Sequence, residues 1–143
     1  MTKYESLLDI IDQSDIVYIE TDSENQPAKA MRNEDGCAIF FNEQEFKTTA
    51  TRLIALAHEK GHCDSRAFYS IHTPLITREI CERRAWRRAI LDQLPFDKLM
   101  EAFEACKTAD RVTVFDLSEY LDLPEDFIIR AIEDYMQMGK QIS

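Results

Sequence analysis

The sequence predicts an α+β fold: a small antiparallel β-sheet packed on a helix that carries His-Glu-x-x-His, followed by a helical C-terminal half. Three observations carry that expectation. Runs of β-branched and aromatic residues of strand length are confined to residues 16–41. From residue 42 onward the apolar residues recur with the period of a helix face. Only 3 Gly and 4 Pro occur in 143 residues, too few for the tight turns of an all-β sandwich.

Residues 3–13 read as a short amphipathic helix with Leu7, Leu8 and Ile11 on one side. Ile16–Ile19 is a strand, Thr21–Pro27 a polar connection and Ala28–Arg32 a second strand. Asn33-Glu34-Asp35-Gly36 is a hairpin signal, and Cys37–Phe41 returns as the third strand. Asn42, with Glu45 three residues on, forms a capping-box pattern. It predicts a helix running to about Cys63, with Phe46, Ala50, Leu53, Ile54 and Ala57 on the buried face. Residues 65–74 read as a loop ended by Pro74, and Thr77 as the cap of a helix to about Gln93. Pro95 opens a further helix. Two short ones follow at 114–121 and 125–138, separated by Asp122-Leu123-Pro124. The chain has the length of one domain. Its expected parts are a core at 1–94, with the sheet and the motif helices, and a helical cap at 95–143.

The net charge is −10, the wrong sign for a protein that grips phosphates. Residues 1–36 carry 3 basic and 9 acidic side chains, residues 37–94 carry 9 and 7, and residues 95–143 carry 5 and 11. The C-terminal helices have the outline of a helix-turn-helix, but their charge excludes a DNA-phosphate surface. The start of the chain breaks its apolar run with acids, unlike a signal peptide, and no stretch has the length of a membrane span. A cytoplasmic protein without membrane or direct nucleic-acid partners is expected. Cys37, Cys63, Cys81 and Cys106 contain no Cys-x-x-Cys pair and read as reduced, mostly packing thiols.

The chemistry lies in His58-Glu59-Lys60-Gly61-His62. Residues i and i+4 share one helix face, so two imidazoles can converge on one zinc ion. Glu59 is turned about 100° away and borders the metal without having to bind it, as a general base must. Such a site needs a third protein ligand. The extended histidine form requires glycine at position 65 and histidine at position 68, where the chain has Ser65 and Phe68. The ligand then comes from the next helix, where Glu82 shares a face with Ala85, Trp86, Ala89 and Ile90. Burying a carboxylate on an apolar stripe demands a partner, either a metal or an arginine such as Arg78. Glu79, at the edge of that face, is the fallback.

The sequence resembles the ImmA/IrrE family of small zinc metallopeptidases found with mobile elements and prophages. The likeness rests on Leu56-Ala57-His58-Glu59-Lys60-Gly61-His62, then Glu82-x-x-Ala85-x-x-x-Ala89, then Pro95-x-Asp97-Lys98. It continues into Leu117–Phe127 and so covers nearly the whole chain. It departs at Lys60, where a leucine is common, a position that neither ligates nor acts as base. The resemblance implies Glu82 as third ligand, one Zn²⁺ per chain, and endopeptidase cleavage of a partner helix-turn-helix repressor. A non-catalytic regulator-binding module and a toxin–antitoxin component of the same fold are the alternatives.

Tyr69 and His72, in the loop after the motif, are candidates to line the cleft and hydrogen-bond an oxyanion. Trp86 reads as core, and Cys63 as packing, because it points off the histidine face. Arg78, Arg83, Arg84, Arg87 and Arg88 read as a solvated face that could dock an acidic segment.

Overall fold

A computed structural model describes residues 1–34 and 36–142. The order of elements is α1 (Lys3–Asp12), β1 (Val17–Glu20), β2 (Ala28–Asn33), β3 (Gly36–Phe41), α2 (Thr49–Ser65), α3 (Leu75–Gln93), α4 (Phe96–Cys106), α5 (Val114–Leu121) and α6 (Glu125–Gln137). The α+β class and the helical C-terminal half are as the sequence predicts. The chain divides into two compact units, Met1–Ala89 and Ile90–Ser143, and the division falls inside α3.

In the first unit, Thr2 and Glu5 cap α1 reciprocally, and Tyr4, Leu7 and Ile11 form its buried face. The sheet is mixed, not wholly antiparallel as expected. Its order is β1-β3-β2, with β3 parallel to β1 and antiparallel to β2. The reason lies in the connections and in hydrophobicity. Residues 21–27 are a wide connection, and β1 and β2 run in opposite directions about two strand spacings apart, roughly 10 Å. Cys37-Ala38-Ile39-Phe40-Phe41 is the most apolar strand. It takes the slot between them and is buried at every position except the half-buried Phe40. Asn33 pairs with Gly36, whose φ of +149° is easy only for glycine. Asp35, in the hairpin signal, lies outside the described residues.

The helix expected from Asn42 is two elements. Asn42 caps only a 3₁₀ turn, Glu43–Glu45, by accepting from the Gln44 N–H. The true start is Thr48, which forms a capping box with Thr51. A second capping signal six residues on therefore overrides the first. It leaves Phe46 outside the helix, stacked on Phe41 at 5.0 Å. α2 lies against β2, β3 and α1. α3 begins two residues before Thr77, with the Pro74 carbonyl accepting from Thr77 and Arg78.

Cys37 and Cys63 form a disulfide, against the expectation of free thiols, while Cys81 and Cys106 are free. Cys63 lies about 100° round α2 from His62, which turns it off the histidine face and toward the start of β3. The two Cα atoms stand 5.7 Å apart, inside the range a disulfide bridges.

In the second unit, Leu99 and Ala102 of α4, Leu117 of α5, and Phe127, Ile128, Ala131 and Tyr135 of α6 form the core. The Tyr135 hydroxyl donates to the Leu94 carbonyl at 2.8 Å, satisfying its one buried polar atom. Asp122 ends α5 in the left-handed conformation. Among the described residues no helix is long and apolar enough to cross a membrane.

The disulfide closes a loop across 26 positions. Loop-closure entropy for that length is about 3.5 kcal/mol. Cys37→Ser/Cys63→Ser, or wild type in excess dithiol, should lose about 2–4 kcal/mol of unfolding free energy in urea titration. Unchanged stability would show that the bond constrains nothing.

Candidate metal centre

Three side chains from two helices meet at one point. His58 and His62 stand one turn apart on α2, and Glu82 faces them from α3. Two helices can bring these groups together only if their backbones approach closely, and Gly61 permits it. A Cβ at Gly61 would lie 2.2 Å from the carbonyl oxygen of Ala85. Glycine inside a helix costs about 1 kcal/mol relative to alanine. The cost is offset here by the contact that sets Glu82 opposite the histidines. Ala85 and Ala89 keep the facing side of α3 equally small and are buried.

The Glu82 carboxylate lies 2.9 Å from His58 Nε2 through Oε2 and 3.1 Å from His62 Nε2 through Oε1. The two Nε2 atoms are 3.2 Å apart. Nitrogen and oxygen ligands bind zinc at about 2.0–2.1 Å, which sets tetrahedral neighbours about 3.3 Å apart. The separations run to two different carboxylate oxygens, and one donor atom from each residue lies within 4.8 Å of the others, within reach of a single ion. The tautomer of His62 strengthens the fit. Its Nδ1 stands 2.6 Å from the Ala67 carbonyl, which can only accept, so Nδ1 carries the hydrogen. A neutral His62 then directs its Nε2 lone pair at the other two donor atoms. Three electron pairs converging at this distance repel unless a cation or a proton stands between them. The group can hold one metal ion.

The surroundings orient each ligand. The half-buried Trp86 ring packs on His58 with centroids 4.1 Å apart, so this residue, expected in the core, lies against one of the candidate ligands. Among the described residues His58 Nδ1 is buried without a hydrogen-bond partner, so only packing supports that edge of the ring, while Nε2 meets Glu82. The Tyr69 hydroxyl donates to Glu82 Oε1 at 2.7 Å. That bond, and then burial, push the tyrosine pKa up to about 12, so it remains a donor at neutral pH. Where a proton and not a metal stands between the groups, hydrogen bonds from His58 and His62 hold the Glu82 carboxyl far below the usual range. Burial pulls the His62 pKa down, but the bonds to Glu82 and Ala67 outweigh it and the net direction is up.

Glu59 is 9% exposed and does not join the ligand group. Its Oε1 accepts from the Ala30 N–H on β2 at 2.8 Å. It lines, with the three ligands, Tyr69, Lys29 and Ala30, a cavity of about 170 Å³. Tyr69 is thus brought to the centre. His72 is not: it is exposed, and its backbone N–H donates to Ser70 Oγ. A loop position after the motif does not by itself aim a side chain inward. Glu79 is exposed and lines a neighbouring groove, so the fallback ligand is not at the centre. Sequence reasoning missed the contributions of Gly61, Ala30 and Ala67. Only the glycine left a signal, as a poor helix former inside a helical motif. Compared with known protein families, curated proteins and solved structures, the chain has no match.

Gly61→Ala should force α2 from α3. We expect a loss of about 2 kcal/mol in stability, typical of overpacking, and at least about tenfold weaker binding of a divalent ion in calorimetry. A metal needs neutral imidazoles, and the raised His62 pKa makes the proton a competitor. Metal affinity should therefore be flat above that pKa, which lies over the ordinary 6.5, and fall about tenfold per pH unit below it. A titration series across pH 5–8 reads this directly.

Proposed function

We propose that this protein is a zinc-dependent endopeptidase of the ImmA/IrrE kind, which hydrolyses a peptide bond in a partner transcriptional repressor. The observation that carries the reading is the convergence of His58, His62 and Glu82 within reach of one ion, with Glu59 beside but outside that group. Two imidazoles and one carboxylate favour zinc over the harder cations that prefer all-oxygen sites. A repressor is a cytoplasmic target, and that compartment belongs to the same reading. There the Cys37–Cys63 bond would face reducing thiols.

Zinc bound to these ligands would polarise the scissile carbonyl and bring the pKa of water from about 15.7 to roughly 7. The chain's own residues do the rest. Glu59, anchored through Oε1 by the Ala30 N–H, keeps Oε2 to take a proton from the attacking water and deliver it to the leaving amine. Tyr69 acts through Glu82: its hydrogen bond fixes the carboxylate plane and makes it a positioning residue. His62 is held by Ala67 in the tautomer that frees Nε2. The cavity is small and polar-walled, suited to one peptide group and not to a large apolar ligand.

Glu59→Gln preserves the acceptor for Ala30 and removes the base. With zinc still bound, cleavage of a partner helix-turn-helix repressor should fall by at least about 10²-fold, followed by gel and mass spectrometry. Unchanged cleavage by the zinc-loaded variant would remove Glu59 from the reaction.

A further inference from the structure

The helix face that delivers Glu82 does not end there. Leu75, Arg78, Glu79, Glu82 and Arg83 follow i, i+3, i+4, i+7, i+8 spacing on α3 and share one side of the helix. With Tyr69 they line an open groove of about 660 Å³, which shares Tyr69 and Glu82 with the metal cavity. The groove is therefore the continuation of the cleft outward from the metal centre.

Its chemistry is specific. Arg78 is half-buried, and its guanidinium donates to the carbonyls of Thr73, at 2.7 Å, and Ile71. Carbonyls fix the group without neutralising its charge. Among the described residues no carboxylate pairs with Arg83, which is exposed. Lys29, on the opposite wall of the metal cavity, lies 5.4 Å from the Tyr69 ring centroid. Leu75 is 69% exposed within the groove, and the neighbouring Ile71 is 81% exposed. Large aliphatic side chains exposed beside a fixed Arg78 and an Arg83 unpaired among the described residues mark a surface for a complementary segment.

We propose that this groove is the recognition surface for the substrate, and that the segment flanking the scissile bond is acidic and apolar, with a carboxylate toward Arg78 and Arg83 and an aliphatic side chain on Leu75. This rests on the peptidase reading for its purpose, but not for its measurement. A nucleic-acid backbone, with a phosphate at every step, fits the groove less well than a segment whose carboxylates are separated by apolar residues, because Glu79 and Glu82 lie between Arg78 and Arg83 along its wall.

The test uses zinc-loaded Glu59→Gln protein, which cannot turn the probe over, and fluorescein-labelled eight-residue peptides of alternating Leu and Asp, or alternating Leu and Lys, read by anisotropy at low salt. The acidic peptide should bind at least about tenfold more tightly, with the preference shrinking as salt is raised. Arg83→Glu should abolish the preference. Leu75→Ser should weaken binding about fivefold without changing its salt dependence, and Glu79→Gln should tighten it two- to threefold. Each variant is checked by circular dichroism and zinc stoichiometry, so loss of fold is separated from loss of contact. Equal affinity for the two peptides, or indifference to Arg83→Glu in a folded protein, overturns the proposal. So does displacement of the peptide by a tighter-binding oligonucleotide, or a dimer that Arg83→Glu dissociates. Acidic preference persisting in His58→Ala/His62→Ala protein that binds no zinc and cleaves nothing would uphold the groove, while zinc-loaded wild type that cuts no repressor would sink the peptidase reading alone.

Discussion

The candidate centre depends on the contact of two backbones, where α2 passes α3 at Gly61 and Ala85. A helix normally keeps its neighbours 8–10 Å away through side-chain bulk. Here one side carries no Cβ and the other is lined by alanines, so imidazoles of ordinary length reach a carboxylate on the facing helix. The distances among His58, His62 and Glu82, the stacking of Trp86 and the bond from Tyr69 all follow from that approach. The same contact makes the site intolerant: the motif glycine has to be glycine for reasons of volume, although it contributes no chemistry.

Much of this was legible in the sequence, and the reasons differ by element. The ligand set could be read because helical geometry is local: i, i+4 spacing places two histidines together, and a lone carboxylate on an apolar stripe announces itself. The ends of the C-terminal helices were equally local, set by Thr113 and by prolines. What could not be read was pairing at a distance. A parallel partner for β3 leaves no mark on either strand. The Cys37–Cys63 bond depends on which side of α2 meets the sheet, and the spacing of 26 does not encode it. The start of α2 failed for a further reason. Two capping signals stood six residues apart, and only packing of Phe46 on Phe41 decides between them.

The two walls of the cleft are held by different means. On the sheet side Glu59 is fixed by a backbone amide, and the disulfide ties the last turns of α2 to the first residue pairs of β3. On the α3 side order comes from side chains: Tyr69 to Glu82, and Arg78 to the loop carbonyls that precede the helix. The loop between α2 and α3 is thereby tied to both the centre and the groove. A change in Tyr69 or Arg78 should be felt in both.

The hydrogen bond from Ala30 to Glu59 has a consequence for the free edge of the sheet. β2 is an edge strand, and an edge with open amides is a template on which other strands can assemble. Ala30 would present such an amide, but Glu59 occupies it, and Lys29 and Arg32 place cationic side chains on either side. The carboxylate at the heart of the motif is therefore also a stopper against self-association. Replacing Glu59 by a residue that cannot accept from Ala30 would then open the edge of β2 as well as alter the cavity.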